Sequence, residues 1–288
     1  MTNDDALITV LIPVRNGEAF LADAIESVLR QTFTRWKLVI SDNHSTDRTR
    51  SIVERYLSDP RVQLLESEVD LGMTANFNKC LGSVKTKYYN LLCHDDFLYT
   101  PYSLELAYKV LEKHAPVPVV YSDLTFVNAS GARLMVRRFH RTGLIKGSEI
   151  ARRSILAARN LFGIPLLVRT VSLAGCRYDE ALPYVIDIDL SIATSKDKEI
   201  YYIPEPLIAN RYHSGNSTSS LLRGLHPEML ALAQKHKIPL TYLDRVVIRF
   251  SAWCTTIARR AFLMYSRQVK PESSVASLAE SADVKHAP

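Results

Sequence analysis

Three acidic features of the chain have the residue types and surroundings to do chemistry. Asp42 stands in SDNHSTDRT directly after the apolar run Lys37–Ser41. A carboxylate there can accept hydrogen bonds from a ribose or a base N–H, or close an Asx-turn into the next helix. Asp95-Asp96 follow Tyr88–Leu92 in YYNLLCHDDF. Two adjacent carboxylates are hard oxygen donors suited to Mg²⁺ or Mn²⁺ shared with a diphosphate, and equally to a solvated turn before a helix. Asp187 and Asp189 sit inside the apolar segment YVIDIDLSIA. Val185, Ile186, Ile188 and Leu190 would desolvate an inward carboxylate and raise its proton affinity, as a general base requires. The alternative is helix N-capping, expected for one of the two.

The first hundred residues supply the elements that must position these groups. Ile8–Val14 (ITVLIPV) is a β-branched apolar run of buried-strand length, ended by Arg15-Asn16-Gly17. Phe20/Leu21, Ala24/Ile25 and Val28/Leu29 recur every four residues and describe one helix face. Lys37–Ser41, Val62–Leu65 and Tyr88–Leu92 read as further strands, alternating with helices that start near Thr46 and run over roughly Thr74–Val84. This rhythm predicts right-handed βαβ crossovers and a mainly parallel sheet flanked by helices. Asp42 and Asp95-Asp96 then fall at the carboxyl ends of strands, where open α/β sheets bind ligands.

Beyond residue 100 the pattern is less regular. Thr100-Pro101 predicts a helix to about His114, with Thr as N-cap. Val117–Ser122 and Leu124–Val127 read as two strands, followed by a hairpin turn at Asn128-Ala129-Ser130-Gly131. Ser148 is the expected cap of a helix through Ala158, and Ile200–Ile203 and Leu207–Tyr212 are two expected late strands. Signals are helical from Glu228, and the Ser/Ala/Glu-rich tail from Lys270 is expected to be disordered. The expected division is an α/β domain over 1–225 with halves meeting near residue 100, a helical region over 226–270 and a tail over 271–288.

Composition narrows the function classes. The 288 residues carry 36 Lys+Arg against 30 Asp+Glu, a formal charge of +6, and are 47% hydrophobic and 23% charged. That balance excludes wholesale disorder, and the length supports a full-sized core. No uncharged apolar run nears the roughly 18–20 residues of a membrane span. The acidic start MTNDDALITV shows no signal-peptide pattern, and Cys80, Cys93, Cys176 and Cys254 form no CxxC pair. A cytoplasmic protein is expected, soluble or peripheral on the inner face of a membrane. The chain lacks GxGxxG, GxSxG and HExxH, and Gly82-Ser83-Val84-Lys85-Thr86 lacks the spacing of a phosphate-binding loop. Its basic residues form no RNA-binding motif, so no nucleic-acid partner is expected.

Residues Ile8–Thr49 closely resemble the N-terminal signature of family-2 inverting glycosyltransferases of the GT-A fold. The elements that carry the resemblance are Pro13, Asn16-Gly17, Ser27-Val28-Leu29, Gln31-Thr32-Phe33, and Asp42 followed by Ser45-Thr46-Asp47. Leu71-Gly72 with Asn76-Phe77-Asn78 matches the family's next nucleotide-side loop, and His94-Asp95-Asp96 falls at its DxD-type metal motif. Ile186–Leu190 looks like its ED-x-D-L segment, and His213 with Ser217 resembles a late motif that closes over the donor diphosphate. The resemblance spans roughly residues 7–220. Two departures stand out: Cys93 where many members have Asp, and Ile186 where many have Glu.

The resemblance implies a GT-A fold, a nucleotide diphosphate sugar donor and a glycan or lipid-linked acceptor, in bacterial surface polysaccharide or lipid-linked glycan assembly. Pro13, Asn16, Asp42 and Asn76 would lie toward the nucleoside, and Asp95 nearer the ribose while also sharing Mg²⁺ or Mn²⁺ with Asp96. His213 and Ser217 would close the diphosphate side, and Asp187 would be the catalytic base. The two departures keep open a catalytically inactive binding scaffold of the same fold. A sugar nucleotidyltransferase is a weaker alternative, because Pro13–Gly17 replaces the Gly-rich, Arg-bearing loop it should carry.

One segment is independent of this chemistry. On a helical wheel, Leu243, Val246, Val247, Phe250, Trp253, Cys254, Ile257, Ala261 and Met264 share one face of Leu243–Arg267. Arg245, Arg249, Arg259, Arg260 and Arg267 gather opposite, broken chiefly by Leu263. Either the apolar face packs on the catalytic domain and leaves a solvated basic side, or the helix lies on an anionic membrane surface.

Overall fold

The computed structural model describes residues 5–139, 142–213, 215 and 224–269. A ten-stranded sheet is its spine, with main strand order β3-β2-β1-β4-β9-β6-β10-β5. The first half is the expected alternation: β1 (Ile8–Val14), α1 (Leu21–Leu29), β2 (Trp36–Asp42), α2 (Thr49–Glu54), β3 (Val62–Glu66), α3 (Met73–Gly82) and β4 (Tyr88–Leu91). All pairings among these four strands are parallel.

The second half is mixed. β5 (Phe97–Leu98), α4 (Ser103–Lys113), β6 (Val119–Asn128), β7 (Arg133–Arg137), β8 (Gly143–Lys146) and α5 (Gly147–Leu156) are followed by β9 (Pro165–Arg169), α6 (Ile186–Ser195) and β10 (Glu199–Tyr212). β9 runs antiparallel between β4 and β6 and joins the halves into one sheet. β6 and β10 pair in parallel. Two helices close the described chain, α7 (Leu225–Lys235) and α8 (Tyr242–Ser266).

Both sheet faces are covered, which is why β1 is apolar throughout. Ile8, Val10, Ile12 and Val14 pack with α1, α2 and α4 on one face, while Leu11 turns to the cluster built with α3, α5 and α6 on the other. Each Val, Ile or Leu fully buried this way stabilises the fold by about 1.5–3 kcal/mol.

Several signature residues are girders of this frame. Gln31, buried at the end of α1, receives Leu104 N–H on its Oε1 and donates its Nε2 to the Thr100 and Ser27 carbonyls. One amide thus caps α4 and ties it to α1. Ser27 Oγ accepts from Leu98 N at 3.0 Å and fixes β5. At Gly17 any Cβ would meet Val14 Cγ2 at 2.5 Å and His94 Cδ2 at 2.9 Å, so only glycine lets the first loop close against the acidic loop.

The structure departs from sequence expectation at four elements. Thr100 does not cap α4; its hydroxyl bonds Ser103 Oγ, and the helix begins at Ser103. The two strands expected over 117–127 are one, β6, because Asp123 stays in the ladder. Ser148 lies inside α5, which opens at Gly147, where a Cβ would collide with the Ser195 carbonyl of α6. The two late strands are one as well: β10 runs through Pro204-Glu205-Pro206 by a bulge, taking five steps from Ile203 to Ile208 where β6 takes two, from Ser122 to Leu124.

α8 corrects the wheel in a different way. The helix packs on α5 and α7, but through Ile248 and Ala252, with a Thr255 Oγ1 to Ala157 carbonyl bond at 3.5 Å, and farther on Phe262 meets Phe126 and Tyr212. The face with Leu243, Val246, Phe250, Trp253, Ile257 and Met264 is exposed, Phe250 at 64% and Trp253 at 62%. Arg245, Arg249, Arg260 and Arg267 are exposed on the same helix, whereas Arg259 is half-buried. The reading in which this apolar face packs on the domain is therefore overturned. Among the described residues no helix is long and apolar enough to cross a membrane. The expected tail lies outside the described residues.

Candidate active site

The carboxyl ends of β1, β4 and β10, the loop before β9 and the first turn of α6 surround a cavity of about 730 Å³. Pro13, Asn76, Asp95, Asp96, Asp187 and His213 all line it. These residues come from five separate stretches of chain.

On one wall, Asp95 and Asp96 lie in the turn that ends β4, and β10 holds them. Arg211 N donates to Asp96 Oδ1 at 2.9 Å, and Asn210 Nδ2 reaches both Asp96 oxygens at 3.0 and 3.1 Å. Arg211, 2% exposed, sends Nε to the Asp95 carbonyl at 3.0 Å and pairs with Asp23 at 2.7 Å, its guanidinium stacked near Phe20 and Phe97. His213 Nδ1 accepts from Gly215 N, so Nε2 carries the proton and donates to Asp95 Oδ2 at 3.0 Å. Burial would push the Asp95 carboxyl up, but the His213 hydrogen bond and the His94 imidazole outweigh it, and the group lies below its ordinary value. Burial, reinforced by the Asp95 charge, pushes Asp96 well above the usual carboxylate range.

Cys93, Asp95 and Asp96 present ligand atoms within 4.8 Å of one another. Burial drives the Cys93 thiol well up, so it stays protonated and is a poor partner for Mg²⁺ or Mn²⁺. The paired carboxylates are the hard donors that fit such a cation, and Asp96 still has lone-pair capacity beyond its bonds to β10.

On the other wall, Asp187 opens α6. Asn160 Nδ2 donates to its Oδ2 at 2.6 Å and Ile188 N to its Oδ1 at 2.9 Å. The residue is exposed within the cavity, whose walls surround it. Burial in those walls raises its pKa, and the Asn160 bond, the Ile188 N–H and the Arg259 charge offset only part of the rise.

Asp189, one half-turn on, does different work. It is 1% exposed and bonds Lys235 Nζ at 2.8 Å and His236 Nε2 at 2.7 Å, clamping α7 to α6. Removing one partner of a buried ionic cluster leaves the others unpaired. Asp189→Ala is therefore expected to lose about 3–5 kcal/mol of stability, read by chemical denaturation, with no change in metal or nucleotide binding by the folded fraction.

The remaining predicted residues divide. Asp42 Oδ1 accepts from Ser45 N at 3.1 Å, which is the turn alternative, and Asp42 does not line the cavity. Asn16, at φ 52°, gives its N–H to Ser45 Oγ and accepts Thr46 N–H, lacing two loops together. Asn76 lines the cavity while exchanging bonds with Ser41 of β2. Ser217 lies outside the described residues. Sequence reasoning missed Asn43 and Asp70, which are bonded to each other at 2.7 Å, and Asn160, Asn210 and Arg211. Arg211 and Asn210 sit just before His213, which was their only signal.

A model of the family described as Glycosyl transferase family 2 matches residues 9–164, more than half of the chain. The chain belongs to this family. The glycosyltransferase is 26% identical over 250 residues to an uncharacterized glycosyltransferase of Rickettsia typhi, spanning 85% of this chain and 76% of the relative. It is 30% identical over 125 residues to WfgD of Escherichia coli, named a UDP-Glc:alpha-D-GlcNAc-diphosphoundecaprenol beta-1,3-glucosyltransferase; that span is 43% of this chain and 48% of WfgD. Among solved structures it resembles Staphylococcus aureus TarS 1–349 in complex with UDP-GlcNAc, with a TM-score of 0.62 at 18% identity over 77% of this chain and 66% of TarS 1–349. It also resembles the mannosyltransferase PcManGT of Pyrobaculum calidifontis in complex with GDP-Man and Mn²⁺, with a TM-score of 0.58 at 12% identity over 99% of this chain and 81% of PcManGT. The glycosyltransferase thus has the GT-A fold of these neighbours.

Proposed function

We propose that this glycosyltransferase transfers a sugar, with inversion, from a nucleotide diphosphate sugar to an acceptor hydroxyl in bacterial surface polysaccharide or lipid-linked glycan assembly. One observation carries the reading: a single cavity holds a clamped acidic pair on one wall and a lone, desolvated, oriented carboxylate on the other. Asp187 accepts the proton of the attacking hydroxyl, and its raised pKa gives it the affinity to do so. Attack from the Asp187 side, opposite the departing diphosphate, inverts the anomeric carbon. Asp95 and Asp96 would hold Mg²⁺ or Mn²⁺, which when bound supplies charge stabilisation to the leaving diphosphate. Pro13, Asn16, Asp42 and Asn76 form the nucleoside side of the donor site, the second and third by shaping its loops. His213 orients Asp95 and closes the diphosphate side.

Incubation with a panel of nucleotide sugars and Mn²⁺ tests this. Slow hydrolysis of one donor is expected and names the sugar; no hydrolysis of any donor would favour a binding scaffold.

The exposed face of α8 adds a location. Its apolar residues with arginines alongside fit an anionic lipid surface, where each arginine near the headgroups contributes about 1 kcal/mol. The same helix puts Arg260 and Leu263 on the cavity wall, so a docked α8 brings the site to a membrane-borne acceptor. The protein is expected to sediment with phosphatidylglycerol vesicles at low salt, and a Phe250→Glu, Trp253→Glu double variant to stay in the supernatant. A wild-type protein that fails to sediment, or that self-associates through this face as a dimer, would remove the membrane reading.

A further inference from the structure

The cavity wall beside Asp187 is basic, and among the described residues its arginines form no ion pair. Arg137, at the end of β7, is half-buried; one guanidinium nitrogen donates to the Asn160 carbonyl at 2.9 Å, and the group lies 4.3 Å from the centroid of Phe139. Arg259 and Arg260 reach the same cavity from α8, Arg259 with its guanidinium 5.5 Å from the Tyr184 centroid. Among the described residues none of the three is in an ion pair, although the structure pairs arginines readily elsewhere, as at Arg15–Asp70 and Arg211–Asp23. Asp187 feels the Arg259 charge but bonds to Asn160. Burial first, and then the charge of Arg159, lower the Arg137 pKa to about 10.

Neighbouring guanidinium groups that no carboxylate pairs repel one another, and an anion relieves that cost. Their planar forks suit phosphoryl oxygens, which accept two parallel N–H bonds. The anion is not the donor's on the reading above, because the donor diphosphate belongs to the opposite wall, with Asp95, Asp96 and His213. It must enter with the molecule that Asp187 deprotonates. We propose that Arg137, Arg259 and Arg260 form a subsite for a phosphoryl group carried by the acceptor, next to the hydroxyl that is glycosylated. The inference rests on the assignment of the Asp187 wall to the acceptor. A phosphoryl group of this kind can come from a lipid diphosphate anchor or from a phosphate within the glycan.

Calorimetric titration with inorganic pyrophosphate and with geranyl diphosphate, both in EDTA so that no cation bridges to Asp95 and Asp96, tests the subsite. Wild type is expected to bind pyrophosphate, and Arg137→Gln and Arg260→Gln each to bind it at least about tenfold more weakly. Arg137→Lys should recover part of the loss, and Arg249→Gln, on the exposed side of α8, should bind like wild type. Geranyl diphosphate binding at least tenfold tighter than pyrophosphate assigns the group to a lipid anchor; equal affinity assigns it to the glycan. No pyrophosphate binding by wild type at millimolar concentration, or binding indifferent to Arg137 and Arg260, overturns the proposal. UDP binding with Mn²⁺ is the separate readout. Its absence in wild type removes the donor assignment and leaves the pyrophosphate result standing, while its loss in Arg137→Gln alone reassigns these arginines to the donor.

Discussion

An Asp187→Asn variant is expected to lose transfer by about 10²–10⁴-fold while its Mn²⁺-dependent affinity for UDP stays unchanged. The amide has the shape of the carboxylate and its one oxygen keeps one of the two bonds, from Asn160 Nδ2 or from Ile188 N, so the cavity keeps its form; what disappears is the proton acceptor. The same substitution is expected to stabilise the fold. Burial raises the Asp187 pKa, so ionisation of this group costs the folded state more than the unfolded chain. Below the ordinary carboxylate pKa both states are protonated and the variant gains nothing. As pH climbs through the raised value wild type loses stability, and the gap in unfolding midpoint between the two proteins opens. Over that same interval wild-type transfer should rise, since only the ionised group is a base. Unfolding midpoints and single-turnover transfer, each measured from pH 4 to 8, read one titration by two routes. Normal turnover by the variant would sink the base assignment.

The second large effect is expected at Asp96. An Asp96→Asn variant should lose Mn²⁺-dependent donor affinity by about 10²-fold or more. Asparagine is the informative substitution because its side-chain carbonyl still receives Arg211 N–H, so β10 keeps its hold on the loop. Alanine would leave that buried donor unsatisfied and confuse folding with binding. The check is UDP titration with and without Mn²⁺. Equal affinity under both conditions in wild type, or no change in the variant, would count against the acidic pair as a metal holder.

The first half of the molecule was legible because its signals are local. The four-residue apolar repeat of α1 and the β-branched run of β1 state their partners within a few residues, and Asp95-Asp96 lie in the turn that follows β4. Long-range bonds had no such trace. Asn160 reaches Asp187 across 27 positions, and Arg211 reaches Asp96 across 115, from a strand whose two prolines mimic a break. The wheel sorted α8 into faces but not which one the domain uses. Close approach of helices selects small and polar residues such as Ala252 and Thr255, so the stripe that packs is not the most apolar one. Gln31 shows the converse: a signature residue whose role is to cap a neighbouring helix rather than to touch a ligand.

The bulge in β10 also sets the parity of the strand beyond it. Side chains alternate between faces with a period of two, and the excess of three residues over β6 is odd. Asn210 therefore faces Asp96, and Arg211 slides between Phe20 and Phe97, only because Pro204–Pro206 inverts the alternation that Tyr201–Ile203 began. Loss of a single residue there would exchange the two faces and carry Asn210 away from the acidic pair without altering any residue in the cavity. Loss of two would restore it. The segment acts as a reading frame for the active site, one whose length can change only in even steps if Asn210 is to keep facing Asp96.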